Sequence, residues 1–447
     1  MMPAGEIQPS APSPAKTTSL AGAVSLSRLL TVLLILTYVG LFHLIYSLQI
    51  SPSFAYMGYT LNPAISQEQW LVMALFVILP SLFLRLDGRR PSNFIILLLY
   101  VLVYVPAQYM FTVLNLTFHG VLLNRAMLLL GMAIITAVSA RPLSIGFDRS
   151  VSIGVFRAVL MLVFGVLFLV VASQFGFRLN LVNILDVYDI RSDYKDEIGE
   201  AGLAFAYAVP YLGVVSAFMV GYGLVKRFIP FLLMGSLSLL YIFGTTGQKS
   251  MLFSVLLLIG VSLLYRINIQ KLGQNLVLSM IVFLIAVFGF DLWSGGILAS
   301  SLFVRRLILT PGLLTTYYMD FFSVNPPAQL GHSFLSDIFP YPYDLRPAYL
   351  IGREYFNSPS MSANANMFAD SYSNFRELGI IGFSIVLGAI LSLVDGYSRR
   401  SSSPVVVVVG MALPAFALTN SALFTSLVTH GMIFAIVLTY LYCSTEK

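Results

Sequence analysis

Charge is what this chain has least of. Only 10% of its 447 residues are Asp, Glu, Lys or Arg, while 58% are hydrophobic and the mean hydropathy is +0.87. A soluble domain carries about 25% charged residues, so that class is excluded and a polytopic membrane protein is indicated. Cysteine is nearly absent as well. Cys443 alone can form neither an internal disulfide nor a cysteine metal site. The four histidines, His43, His119, His332 and His430, are scattered without ligand spacing, so no metal is expected. No Gly-rich phosphate loop, GxSxG or HExxH is present, which removes nucleotide-loop, serine-hydrolase and zinc-peptidase chemistry, and no cofactor is expected. The net charge of +6 does not point to nucleic acid, because excess Lys and Arg in a membrane protein reflects its cytoplasmic loops.

What is there is a succession of apolar runs. The hydrocarbon core is about 30 Å thick and a helix rises about 1.5 Å per residue, so spans of about 20 apolar residues are the unit. Residues 1–25, rich in Pro, Ser and Ala, are expected to be a disordered cytoplasmic tail. The run at 29–48 lacks a small-residue cleavage pattern and reads as an anchor, not a removed signal peptide. Further spans are expected at 69–86, 94–113, 121–140, 151–174, 201–224, 228–246, 250–265, 273–292, 378–397, 404–419 and 422–443. The expected fold is all-α, a polytopic integral membrane protein of about twelve transmembrane helices. Nine spans fall within 26–291, which also holds a charged loop at 175–200; an insert follows at 292–377, and three spans fall within 378–447.

Lys and Arg set the orientation. With the N-terminus in the cytoplasm, inside segments collect Lys16, Arg28, Arg85, Arg89, Arg90, Arg141, Arg149, Arg157, Lys226, Arg227, Arg266, Lys271, Arg399, Arg400 and Lys447. The outside connections 50–67 and 115–120 hold neither Lys nor Arg, as the positive-inside rule requires. Three charged regions then share the outer face: 175–200, the turn 245–250 and the insert. On that face Arg125, Arg178, Arg191, Lys195, Lys249, Arg305, Arg306, Arg346, Arg353 and Arg376 break the rule, and an anionic ligand there would explain them.

The insert from Leu292 to Glu377 concentrates charge, aromatics and Asn. Its first part, SGGILASSLFVRRLILTPGLL, is apolar except for Arg305 and Arg306 at its centre. Two charges at mid-membrane would cost about 5–7 kcal/mol, so an interfacial or re-entrant helix is expected. In FPYPYDLRP, prolines alternate with Tyr341 and Tyr343, whose flat faces and polar tips suit sugar rings; a packed Pro-rich cap is the plainer reading. Farther on, Asn366, Asp370, Asn374 and Glu377 recur at three or four residues and would share one helix face, lining a wet cavity. A solvated helix start gives the same pattern.

These stretches resemble a known family. MFADSYSNFRELGIIG, the turn GTTGQKS and the charged VYDIRSDYKDEIGEAGLAFAYAVPYLG are similar to the Wzy-type oligosaccharide repeat-unit polymerases of O-antigen and related polysaccharides. The similarity covers most of the chain as architecture. Two departures stand out. The family commonly has Arg where this chain has Lys249, which removes a bidentate grip on phosphate. It also has a direct Phe-Gly where Phe375 and Gly379 are here separated by Arg376, Glu377 and Leu378, which shifts the start of the tenth span.

The resemblance implies a GT-C-like membrane glycosyltransferase of the bacterial inner membrane with a long periplasmic loop carrying short helices. Its substrates would be undecaprenyl-pyrophosphate-linked repeat units, its partners membrane lipids and a chain-length regulator. Departure of a pyrophosphate leaves negative charge that cations must stabilise, and Arg suits this best. Arg191, Arg346, Arg353 and Arg376 are the candidates for it, with Lys249 as a helper and Lys195 behind it. An acceptor hydroxyl must also lose a proton. Asp370 is the first candidate base, His332 the second, followed by Glu377, Glu354 and Asp337. Tyr341, Tyr343, Asn366, Tyr372 and Asn374 are the candidates for holding glycan. An acidic pair, Asp193 and Asp196, could hold a divalent cation, but DYKDE reads as a solvated loop.

Rival readings are an O-antigen ligase-like enzyme, a twelve-helix secondary transporter and a flippase for lipid-linked oligosaccharide. Carriers usually show two related halves and polar or broken spans. Here the spans are nearly free of charge and the insert has no counterpart in the first half.

Overall fold

The computed structural model describes residues 14–143, 151–177, 194, 202–333, 336–401 and 403–445. Among these residues every regular element is a helix. Among the described residues nine helices are long and apolar enough to cross a membrane: Leu26–Met57, Pro91–Val113, Val121–Ser139, Ile153–Phe175, Phe205–Lys226, Ile229–Thr246, Lys249–Ile267, Ile269–Ser294 and Met367–Ser398. Each overlaps an expected span. Three shorter apolar helices stand where the other spans are expected: Gln67–Phe83 with 17 residues, Pro404–Ala417 with 14 and Met432–Cys443 with 12.

Apolarity on two faces separates these helices from those of a soluble protein. In Ile153–Phe175, Phe156, Leu160, Phe164 and Val171 are buried, while Val155, Val159, Leu162, Val166 and Leu169 point away from the protein. The outward set repeats at three and four residues, so a stripe of Leu and Val stands where a soluble helix would carry charge.

Pro91–Val113 is the central helix, with all of its 23 residues buried. Gln67–Phe83, Val121–Ser139, Met367–Ser398, Pro404–Ala417 and the insert pack around it. At its N-terminus the Asp395 carboxylate accepts the Ser92 N–H at 3.0 Å and the Ser92 hydroxyl at 2.6 Å, negative charge at the positive end of the helix dipole. Other helices gather on Phe205–Lys226, against which Ile229–Thr246 closes through Gly235. The bare Cα there admits the Ser216 carbonyl, and the Ser216 hydroxyl donates to that of Ser238 at 2.8 Å.

Three stretches are wound as π-helix: Tyr46–Ile50, Tyr100–Tyr104 and Ser300–Leu309. Each is followed two residues later by a proline, Pro52, Pro106 and Pro311, and the third stretch packs on the other two. Proline has no N–H to donate, so the wide turns end against it. At the last one, Thr310 N–H still bonds Arg305 O before Pro311 opens the α-helical half, Thr310–Val324.

Residues 300–324 therefore form one insert helix, and Pro311 to Met319 are buried in protein. Gly312 brings the helix onto the Pro106 carbonyl of the central helix. The paired charges part company here. Arg305 is buried, with its guanidinium 4.1 Å from the Phe54 ring and its Nη2 donating to Ser301 Oγ at 3.0 Å, whereas Arg306 is exposed. Along its length the helix reaches two connections: Arg305 touches Met57, Thr310 bonds Tyr59 at 2.7 Å, Tyr317 donates to Gly58 O at 3.0 Å, and Asp320 bonds His119.

Met367–Ser398 corrects one expectation. Asn366, Asp370, Asn374 and Glu377 do not share a helix face, because Phe375 (φ −143°, ψ 20°) and Arg376 (φ 49°, ψ −129°) break the helix before Glu377. A positive φ is costly for a residue with a side chain. The guanidinium holds it there: Arg376 Nε donates to Phe322 O at 2.9 Å and Nη2 to Asn325 O at 3.0 Å, closing the C-terminal end of the insert helix.

Candidate functional site

The C-terminal turn of the insert helix is where separate pieces of chain meet. The segment after it is tied to the broken helix: Ala328 N–H bonds Ser373 O at 2.8 Å, Gln329 N–H bonds Asn374 O at 3.1 Å, and Leu330 N–H bonds Asn374 Oδ1 at 2.8 Å. That anchoring fixes His332 beside Tyr341, with ring centroids 5.6 Å apart. Tyr341 meets Tyr343 at 5.6 Å, and Tyr343 packs on Phe321 and Phe322 at 6.0 and 6.1 Å. The two tyrosine hydroxyls donate to Leu345 O and Pro326 O, and both residues remain partly exposed.

Arg346 completes this group. It is exposed at the start of Pro347–Phe356 and has no carboxylate partner among the described residues. Its charge acts on both His332 and Tyr341. Burial, then Arg346, hold the His332 imidazole below its ordinary 6.5, so it is neutral at pH 7. Its Nδ1 is buried without a hydrogen-bond partner among the described residues.

On the other flank of the same turn stands a group that no sequence motif announced. The Asp320 carboxylate accepts three donors: the His119 N–H at 2.9 Å and the His119 Nδ1–H at 3.2 Å, both on Oδ1, and the Tyr355 hydroxyl at 2.7 Å on Oδ2. Tyr355 stacks on Tyr317 with ring centroids 4.2 Å apart and planes 13° from parallel. The Tyr372 hydroxyl faces Glu377, Arg376 and Asp320. The one available signal was that Asp320 is the only carboxylate in the apolar run 307–324.

The remaining candidates have local duties. Asp370 is 8% exposed, and its carboxylate takes the Asn374 Nδ2–H at 3.1 Å and the Leu423 N–H. Asn366 caps the broken helix, accepting from Phe368 and Ala369 N–H at 3.0 and 3.1 Å and donating to Thr315 Oγ1 at 2.7 Å. Asn374 and Tyr372 are buried, and Glu377 is half-buried. Arg353, at the surface, is paired with both Asp344 oxygens at 3.1 and 3.0 Å and with Glu354 at 3.1 Å. Lys249 opens Lys249–Ile267 and has a partner of its own. One turn on, Phe253 meets Phe303 at 5.5 Å, about 28 Å along the insert helix from Phe322, so Lys249 and Arg346 belong to different regions. Arg191 and Lys195 lie outside the described residues.

No protein-family model, curated protein or solved structure matches this chain.

Proposed function

We propose that the protein is a bacterial polysaccharide polymerase. In this reading it is a glycosyltransferase that moves a growing undecaprenyl-pyrophosphate-linked glycan onto a lipid-linked repeat unit at the periplasmic face of the inner membrane. The observation that carries the reading is the exposed Arg346 beside His332 and the Tyr341 and Tyr343 rings. A guanidinium with no carboxylate partner among the described residues is suited to a departing pyrophosphate, and it can fork onto two oxygens at once. Aromatic faces next to it offer the apolar platform that a sugar ring's C–H face prefers. The insert helix adds support, because it reaches two connections expected on the same, outer side.

Purified protein mixed with undecaprenyl-pyrophosphate repeat unit should produce longer glycans without nucleotide sugar or ATP. Arg346→Ala should reduce chain growth by about 100-fold or more, as loss of a charge-stabilising donor does. Arg353→Ala should cost far less, its guanidinium being already occupied by Asp344 and Glu354. Unchanged glycan length with the wild-type protein, or reporter tags within 336–346 accessible from the cytosol, would overturn the reading.

A further inference from the structure

Resting on the transferase reading, we propose that His119 is the general base for the acceptor hydroxyl and that Asp320 is its positioning residue. A base for this reaction must reach a substrate approaching from outside, and Asp370 does not, being 8% exposed with its carboxylate held by Asn374 and Leu423. The His119 side chain is 63% exposed, that of Asp320 only 17%.

The bonds set the tautomer. Asp320 Oδ1 accepts from His119 Nδ1 at 3.2 Å, so the ring proton resides on Nδ1 and Nε2 keeps its lone pair for a substrate proton. The His119 N–H bonds the same oxygen at 2.9 Å, and His119 O accepts the Asn124 Nδ2–H at 3.1 Å, so the backbone that carries the imidazole is fixed from both sides. Tyr355 saturates the other carboxylate oxygen at 2.7 Å and is itself held by its stack on Tyr317. The titratable and charged groups facing Asp320 are thus His119, Tyr355, Tyr317 and Tyr372, with Glu377 and Arg376 beyond Tyr372. A simple surface ion pair needs none of this. Asp320 directly precedes Phe321, on which Tyr343 packs, so the group and the tyrosine pair are both anchored on the C-terminal turn of the insert helix.

The step balances. The acceptor O–H gives its proton to His119 Nε2 while the oxygen bonds the anomeric carbon. The bond from that carbon to the pyrophosphate oxygen breaks, and its electron pair leaves on the carrier. The imidazolium then returns its proton to water.

The test uses the full-length protein in detergent with undecaprenyl-pyrophosphate repeat unit. His119→Ala should slow chain growth by about 100-fold or more. Free imidazole should restore at least about tenfold of this, with a rate that follows the unprotonated imidazole concentration as pH is varied; a histidine that merely ties down a loop is not replaced in this way. Asp320→Ala should be comparably slow, because Nδ1 then has no acceptor to fix the tautomer and orientation of the ring. Tyr355→Phe should lower kcat with little change in KM. If the wild-type protein elongates glycans and His119→Ala stays within about threefold of it, or its loss is not rescued by imidazole, the assignment falls while the transferase reading stands. No elongation by the wild-type protein removes both.

Discussion

Gly379 lies against the main-chain carbonyl of Ser371, so closely that an added Cβ would stand 1.9 Å from the oxygen. In an uninterrupted helix, residues eight apart are separated by about 12 Å along the axis. The two segments are therefore folded onto one another at Phe375 and Arg376.

Gly379→Ala should cost about 1–3 kcal/mol of stability, because the obstructing atom is backbone and has no rotamer into which it can retreat. Gly382→Ala, whose Cβ would meet nothing within 4 Å, is the control and should be neutral or slightly stabilising. Thermal unfolding of the purified variants in one detergent reads the difference. Equal melting temperatures would mean that the fold-back is absent.

Arg376 was expected to grip pyrophosphate, but its guanidinium is bonded to Phe322 O and Asn325 O. Arg376→Ala should lose about 1.5–3 kcal/mol, the range for a hydrogen bond from a charged group. Arg376→Lys should behave more like Ala than like the parent, since an ammonium cannot span two carbonyls as a planar fork does. A Lys variant as stable as the parent would argue against this capping role.

Acid should loosen the region around His332. Burial and Arg346 hold its imidazole below 6.5, so between that value and the lower folded-state value the unfolded chain binds a proton that the folded one resists. Stability contributed by neutral His332 is complete above pH 6.5 and declines as pH falls through the window. Arg346→Ala removes one cause of the shift and should reduce the acid loss seen between about pH 7.5 and 5.5. In a His332→Gln background the same substitution should leave the pH dependence unchanged.

The spans were legible because length and apolarity are local properties, and each of the nine long helices covers a stretch where a run of about 20 apolar residues was visible. His332, Tyr341 and Arg346 were legible for a similar reason: chemistry-bearing residues crowd into one short stretch. Asn366 and Asn374 were legible as polar, but their work as a buried cap and a strut depends on acceptors and donors at Thr315 and Leu330. The break at Arg376 was not readable, since FRELG continues a helical pattern and the acceptors that hold its positive φ lie about fifty residues earlier. The pairing of His119 with Asp320 spans 201 positions, and beyond the lone carboxylate in an apolar run nothing local announces it.

The central helix, Pro91–Val113, has no residue facing outward, yet it is as apolar as helices that do. Its neighbours in the insert, in Met367–Ser398 and in Pro404–Ala417 are synthesised some two to three hundred residues later. Of the neighbours named above only Gln67–Phe83 precedes it, so on emerging from the ribosome it must enter lipid before it can be enclosed. Its greasiness thus serves biogenesis, whereas in the finished molecule shape complementarity is what constrains it, so residues such as Tyr100 and Gln108 can be carried there at no cost in lipid contact.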